Sequence, residues 1–314
     1  MRYKPYSEYL KEKYGEKVYK LPVNLPITCP NKDGNCGVGG CIYCAEIGAA
    51  FENLPPTMPI EEQIKENMEF IGNKYKANKF IAYFQNYTNT YMPYEKFCDC
   101  INKSILENVV QISISTRPDC INDKYMSFLK DVSKKHNIDI CIELGLQTVN
   151  YRTLKTINRG HSLAEFIDAV LTVHKYDFEV CAHLILNLPW DDTQDVIECA
   201  KILSSLKVEQ VKLHSLYIMK NTPLAKMYLD GEFSMGTYQS YIDRVITFLE
   251  YLSPDVVIQR LIGRAKDEHT VFANYGASWW KIKDEIDAKL EQIDTCQGKK
   301  FCYLGGSALK KFEN

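Results

Sequence analysis

Short runs rich in β-branched and aromatic residues alternate along this chain with longer amphipathic ones. The strand-like runs are Lys79–Gln85, Val109–Ser115, Ile138–Gly145, Phe178–Leu186 and Glu209–Tyr217, with an earlier one near Leu21–Ile27. Each is short and carries the branched and ring side chains that fit a pleated surface. Between them, apolar residues at three- and four-residue steps predict helices over Ile60–Tyr75, Tyr94–Glu107, Ile121–His136, Leu163–Tyr176, Thr193–Ser205 and Tyr238–Leu252.

Strand followed by helix, repeated, predicts parallel pairing through right-handed crossovers. Six such units make an incomplete (β/α)6 TIM-like barrel, and burial on both faces accounts for the near-continuous apolar strands. A flavodoxin-like open sheet competes, but no glycine-rich phosphate turn follows the first strand. The expected organisation is a basic N-terminal arm over 1–20, a partial barrel over 21–255 and a C-terminal extension over 256–314 packed on the barrel. There is no internal repeat and no low-complexity linker.

The balance of 46% hydrophobic and 25% charged residues is that of a soluble globular protein. A net charge of −2 excludes a global positive field, though not a local basic patch. Two such patches are candidates for solvated helix faces or RNA contact. One is Arg2, Lys4, Lys11, Lys13, Lys17 and Lys20 set against Glu8, Glu12 and Glu16; the other is Lys299, Lys300, Lys310 and Lys311. No apolar run approaches the roughly 20 residues of a membrane span, and the N-terminus lacks a signal-peptide core, so a cytoplasmic protein is expected. In that reducing compartment twelve cysteines do not imply a disulfide framework. Cys141 and Cys181, inside apolar runs, read as small core residues.

The segment TCPNKDGNCGVGGCIYC, Thr28 to Cys44, is different. A structural zinc site could use Cys29, Cys36, Cys41 and Cys44, although only Cys41 and Cys44 form the short knuckle typical of zinc ribbons. Alternatively Cys29, Cys41 and Cys44 could hold an iron–sulfur cluster and leave one iron open to a ligand. In a parallel barrel, chemistry gathers at the C-terminal ends of the strands. There the sequence puts Gln85–Thr90, Ser115–Asp119, Glu143–Gln147 and Asn187–Trp190. Glu143 and Arg117 end apolar strands, so burial would require a partner or ligand for each. Strand alternation turns His214 and Tyr217 toward the barrel interior.

The C-x11-C-x2-C arrangement, with Tyr43 before the last cysteine, resembles the radical S-adenosylmethionine (SAM) enzymes, and within them the Elp3-like bacterial YhcC/YtqA (MnmL) group. The resemblance spans nearly the whole chain: KVYKLPVN, TCPNKDG, YFQNYTNTY, SISTRPDCI, IELGLQT, NRGHS, HLILNLPWD, VKLHSLYIMKNTPLAKMY and DVVIQRLIG. It implies a [4Fe-4S] cluster on Cys29, Cys41 and Cys44, with Cys36 as a spare thiol, and cleavage of SAM to a 5′-deoxyadenosyl radical.

The same resemblance implies SAM contacts: Tyr43 near adenine, Gln85, Asn86 and Thr88 near the methionine amine, Ser115 where relatives often have a glutamate, Gln147 on ribose, Arg159 on the carboxylate and His183 near ribose. Asn187 stands where a glycine is common. The group resembled is associated with tRNA wobble-uridine modification, from 5-carboxymethylaminomethyluridine to 5-aminomethyluridine. The implied partners are therefore a tRNA substrate and a reductant such as flavodoxin or ferredoxin. A small metabolite or porphyrin-like substrate, or a non-catalytic zinc module, is the alternative. Trp279-Trp280-Lys281 is a candidate stacking surface for a splayed base.

Overall fold

The computed structural model describes residues 1–44, 54–263 and 267–312. Alternate strand residues point to opposite faces, and this chain makes the two faces chemically unlike. Along β4 (Asp139–Gln147), Ile140, Ile142, Leu144 and Leu146 are buried in the main apolar cluster, while Cys141, Glu143 and Gly145 lie on the other face. The apolar face meets Phe166, Val170 and Val173 of helix α6 (Leu163–His174), all fully buried. Each such side chain contributes roughly 1.5–3 kcal/mol through burial.

Seven parallel strands make the sheet: β1 (Val18–Val23), β2 (Lys79–Phe84), β3 (Val109–Thr116), β4, β5 (Glu179–Ile185), β6 (Gln210–His214) and β8 (Val257–Arg260), paired in that order. A two-stranded antiparallel pair, β7 (Ile218–Met219) with β9 (Thr270–Phe272), stands apart. The sheet curls into an incomplete barrel, with α2 (Ile60–Tyr75), α3 (Tyr94–Lys103), α4 (Asp123–His136), α6 and α7 (Thr193–Ser205) in its crossovers. Capping boxes start α6 at Ser162–Glu165 and α7 at Asp192–Asp195. They satisfy the first free N–H groups and fix where each loop leaves the C-terminal rim.

The expected partial barrel is borne out, with differences at its edges. The first strand begins at Val18 rather than near Leu21. Pro22 interrupts the pattern, and it is tolerated because β1 is an edge strand. A seventh strand follows Ser253-Pro254. It is only four residues long, too short to stand out from flanking polar sequence. Helix α10 (Trp279–Gln292) buries Ile282, Ile286 and Leu290, a four-residue spacing that was legible but not read.

The N-terminal segment closes the opposite end. Helix α1 (Tyr6–Tyr14) lies against β1 and β8, and Ile258 donates its N–H to the Lys4 carbonyl at 2.8 Å. Tyr14 donates to Asp139 at 2.6 Å, and Lys13 pairs with Glu179 at 2.7 Å and Asp139 at 3.0 Å. Those acids begin β4 and β5, so α1 plugs the N-terminal mouth. Arg2 pairs with Glu291 and Asp294. Much of the basic N-terminal run is thus engaged within the chain.

Deep inside the barrel sits a fully buried carboxylate. Glu143 is 1% exposed and accepts from Lys20, from Lys212 at 2.6 Å and from His183 at 2.7 Å. Burial pushes its pKa up, but Lys20 and Lys212 outweigh that and hold it well below the usual carboxylate range. Its contribution is therefore whole above the unfolded carboxyl's pKa of about 4.3 and lost as pH falls through the lower folded value. Glu143→Gln leaves buried ammonium groups uncompensated and should destabilise the fold by about 3–5 kcal/mol at pH 7. In urea unfolding, that gap should narrow as pH is lowered past 4; a gap constant from pH 7 to 3 would count against the assignment.

Candidate active site

The cysteine segment is a chain of tight turns at the C-terminal rim. Lys32 donates its N–H to the Cys29 carbonyl at 2.8 Å, Cys36 to Pro30 at 2.8 Å and Cys44 to Cys41 at 3.0 Å. Asn31 and Asn158 stitch this segment to the turn after α5 (Tyr151–Thr156). Asn31 Nδ2 donates to the Asn158 carbonyl at 2.6 Å, and Asn158 Nδ2 donates to the Gly40 carbonyl at 2.8 Å. Ile42 N–H donates to the Ile157 carbonyl at 3.1 Å. Neither asparagine was singled out in the sequence, where a lone Asn carries no pattern.

The stitching delivers Arg159 to the thiols. Its Nη1 lies 3.6 Å from Cys41 Sγ, its Nη2 donates to the Gly145 carbonyl at 2.9 Å, and its buried Nε has no hydrogen-bond partner among the described residues. Cys41 is held well below the usual thiol range by its hydrogen bond from Cys44, opposed by burial and helped by Arg159. A thiolate is the form that binds iron. The Tyr43 hydroxyl adds to that stabilisation, and its ring packs with Leu154, Ile157 and Leu188. Arg117 forks onto Asp119 at 2.8 and 2.6 Å and donates to the Arg159 carbonyl at 2.8 Å, so its expected partner is an acid two residues away.

Cys36 is set apart from the Cys41–Cys44 pair. It is exposed, beside Asp119, and lines a cavity of about 530 Å³ with Cys120, Tyr91 and Tyr125. Among the described residues, no three of the four thiols converge within 4.8 Å of one another. A single zinc ion needs its sulfurs about 3.8 Å apart.

The remaining residues fall on three levels. Asn86 and Thr88 are buried after β2; Asn86 Nδ2 donates to Asn24 Oδ1 at 2.6 Å, while Asn86 Oδ1 and Thr88 Oγ1 have no partner among the described residues. Gln85 is half-buried, its N–H donating to the Val23 carbonyl at 3.4 Å. Asn89, also unread in the sequence, fastens this turn to the Ser115 carbonyl at 2.8 Å. Gln147 ends β4 with φ of 75°, a left-handed conformation that turns the chain at a register break. A Cβ on Gly145 would meet Arg159 Nη2 at 2.6 Å and Gln147 Nε2 at 2.8 Å, so Arg159 and Gln147 converge over that glycine.

Deeper, Ser115 Oγ donates to Tyr83 at 3.1 Å and lies 3.5 Å from Glu143. His183 is pushed down to about 4 by burial and Lys212, so at neutral pH it is uncharged and donates to Glu143. His214 faces the interior as expected, with its ring 5.3 Å from that of His183 and Arg260 Nη2 at 2.6 Å. Asn187 accepts from the Leu216 N–H at 2.6 Å, joining β5 and β6 beyond their ends.

Buried thiolate-favouring sulfur beside a guanidinium with a free donor, flanked by unpartnered amide and hydroxyl oxygens, fits a cluster that also binds a zwitterionic ligand. Gly160 has φ of 77°, and a Cβ there would meet Asn31 Oδ1 at 2.5 Å. Gly160→Ala should therefore loosen the stitched turn and lower iron and sulfide content after anaerobic reconstitution several-fold, with little change in far-ultraviolet circular dichroism. Full iron loading in that variant would show that the turn is not needed to shape the site.

A Radical SAM superfamily model matches residues 33–203, and a Radical_SAM C-terminal domain model matches 208–292. The chain is 37% identical over 304 residues to the uncharacterized protein MJ0486 of Methanocaldococcus jannaschii, covering 94% of this chain and 91% of that one. It is 33% identical over 301 residues to YtqA of Bacillus subtilis, covering 96% and 93%. A tRNA uridine(34) acetyltransferase of M. jannaschii is 24% identical over 157 residues, 49% of this chain and 28% of its own. The solved archaeal Elp3 of Methanocaldococcus infernus superposes with a TM-score of 0.66 at 17% identity, over 95% of this chain and 68% of that one. On the family model and the full-length relatives, this chain is an enzyme of the radical SAM superfamily, whose members use a [4Fe-4S] cluster and SAM, in the Elp3-like group that includes YtqA.

Proposed function

We propose that this enzyme modifies the wobble uridine of tRNA, removing the carboxymethyl group of 5-carboxymethylaminomethyluridine to leave 5-aminomethyluridine. The observation that carries the cofactor side is Arg159, fixed between Cys41 and Gly145 with an unpartnered Nε. The partial likeness to a tRNA uridine(34) acetyltransferase supports the substrate class.

On this reading Cys29, Cys41 and Cys44 hold the cluster and Cys36 stays free. Arg159 binds the SAM carboxylate, a planar guanidinium being suited to it. Asn86 Oδ1 and Thr88 Oγ1 receive the methionine amine near Gln85, Gln147 meets ribose and Tyr43 borders adenine. When bound, the cluster and SAM would supply a hydrogen-abstracting 5′-deoxyadenosyl radical, given one electron from a donor such as flavodoxin or ferredoxin. With a second electron passed to a one-electron acceptor, the arm's methylene becomes an imine, and water hydrolyses it to the free amine and glyoxylate. Ser115 and neutral His183 face the lumen, where they orient rather than ionise. Trp279 packs on the core, but Trp280 is 57% exposed at the start of α10 and can stack a base.

The engagement of Arg2, Lys13 and Lys20 inside the fold favours a second reading, a small carboxylated metabolite. Reconstituted enzyme with SAM, reductant and tRNA from a strain lacking the gene should release 5′-deoxyadenosine and convert the nucleoside, seen by mass spectrometry. Radical release with no change in any tRNA nucleoside would transfer the case to the metabolite. Cys36→Ala should keep its iron and activity, whereas Cys41→Ala should lose the brown chromophore. A colourless Cys36→Ala would make that thiol a ligand.

A further inference from the structure

One register row crosses the inner face of the sheet: Gly145 on β4, His183 on β5, Lys212 on β6 and Arg260 on β8. Strands lie about 4.8 Å apart, so Lys212 stands about 10 Å along this row from the glycine beneath Arg159. Lys212 points across the lumen, donating to Tyr83 at 2.9 Å and Glu143 at 2.6 Å. An ammonium has three N–H donors, so one is left.

Arg260 touches the His214 ring, and its buried Nε has no hydrogen-bond partner among the described residues. Among the described residues no carboxylate pairs with it. The Tyr217 hydroxyl is buried with Ser215 and Asn274 close by and, among the described residues, no partner at full hydrogen-bond geometry; a Cβ on Gly263 would collide with it and lie 3.4 Å from Arg260 Nη2. Glycine at 263 therefore lets the Tyr217 hydroxyl close against the backbone beside Arg260.

Charge decides what the lumen beside Arg260 attracts. Among the described residues Lys20 and Lys212 share the carboxylate of Glu143, Arg260 has none, and both histidines are held neutral by burial and the neighbouring cations. Glu143, Cys181 and His183 do offer ligand atoms within 4.8 Å of one another, a spacing a metal ion could use. But two ammonium groups already cover the Glu143 oxygens, and a metal cation would have to displace them. A lumen with surplus positive charge and free N–H and O–H donors selects an anion.

We infer that Arg260, Lys212 and Tyr217 form a subsite for the substrate's carboxylate, holding it in the lumen alongside the site of hydrogen removal. This rests on the reading above, in which the arm of the modified uridine ends in a carboxylate. Arg260 and Tyr217 are positioning residues: they grip the end of the arm and present its methylene.

The test compares an anticodon stem–loop bearing the carboxymethylaminomethyl arm with its carboxamide, bound to reconstituted holoenzyme with SAM. The acid should bind at least about tenfold tighter, the effect expected of one hydrogen bond to a charged group. Arg260→Gln should bring the ratio close to one, Arg260→Lys should retain part of it, and SAM affinity should be unchanged in both. A wild-type ratio near one, or a ratio that survives Arg260→Gln, overturns the subsite whatever the enzyme does to tRNA. If neither stem–loop binds, the tRNA reading fails, and the fragment N-methylglycine, labelled with carbon-13 at its carboxyl, decides the subsite alone. Its carboxyl resonance should broaden with wild type and stay sharp with Arg260→Gln; a sharp resonance with wild type overturns the inference.

Discussion

A carboxylate taken out of water must be met by positive charge, and Glu143 imposes that demand at the centre of this fold. The groups that meet it come from β1, β5 and β6, with Ser115 of β3 nearby. They can converge only if the sheet curls until its first and sixth strands face each other across a lumen. Lys20 also donates to Gln259 at 2.8 Å, so the same ammonium bridges the unpaired edges β1 and β8. Curvature, register and charge are one constraint here. A one-residue slip of β4 would turn Glu143 onto the apolar face among Phe166 and Val170.

The lumen so built grades from base to rim. At the base, Tyr14 and Lys13 of α1 satisfy Asp139 and Glu179, the acids that start two strands. In the middle, cations outnumber the single carboxylate. At the rim, Arg159 and Arg117 add two guanidinium groups, one answered by Asp119 and the other by sulfur and a carbonyl. Such a gradient favours ligands with negative charge at the C-terminal mouth, where parallel barrels bind. It also explains a low net charge alongside an anion-seeking interior: the surface acids balance cations whose field is concentrated inside.

Much of the barrel was legible because its crossovers are periodic; the helix over Leu163–His174 and the strand over Asp139–Gln147 follow their patterns nearly to the residue. What escaped was set by tertiary context. Pro22 hid the first strand, since only an edge position makes a proline acceptable there. β8 is four residues whose identity as strand comes from pairing with β6. For the site, thiol spacing was visible, but Asn31 and Asn158 were not, because their role is to join segments 127 residues apart. Lys212 and Arg260 were equally hidden. Near-continuous apolar strands suggested two dry faces, whereas the inner face carries Ser113, Glu143, His183 and Lys212.

Gly145 is where the two halves of the architecture meet. Its strand neighbour Glu143 anchors the interior charges, and its carbonyl receives Arg159 from the rim. His161, also at the rim, reaches the same carbonyl at 3.0 Å. A Cβ at 145 would press on the ends of the Arg159 and Gln147 side chains together, so glycine there lets a rim arginine lie directly over the lumen. That close approach makes the thiols, the guanidinium and the register row one continuous polar surface, with no apolar side chain of β4 between them. A sheet with the same strands but a branched residue at 145 would keep its core and its charges, yet push the ends of Arg159 and Gln147 off the lumen that joins the rim to the interior.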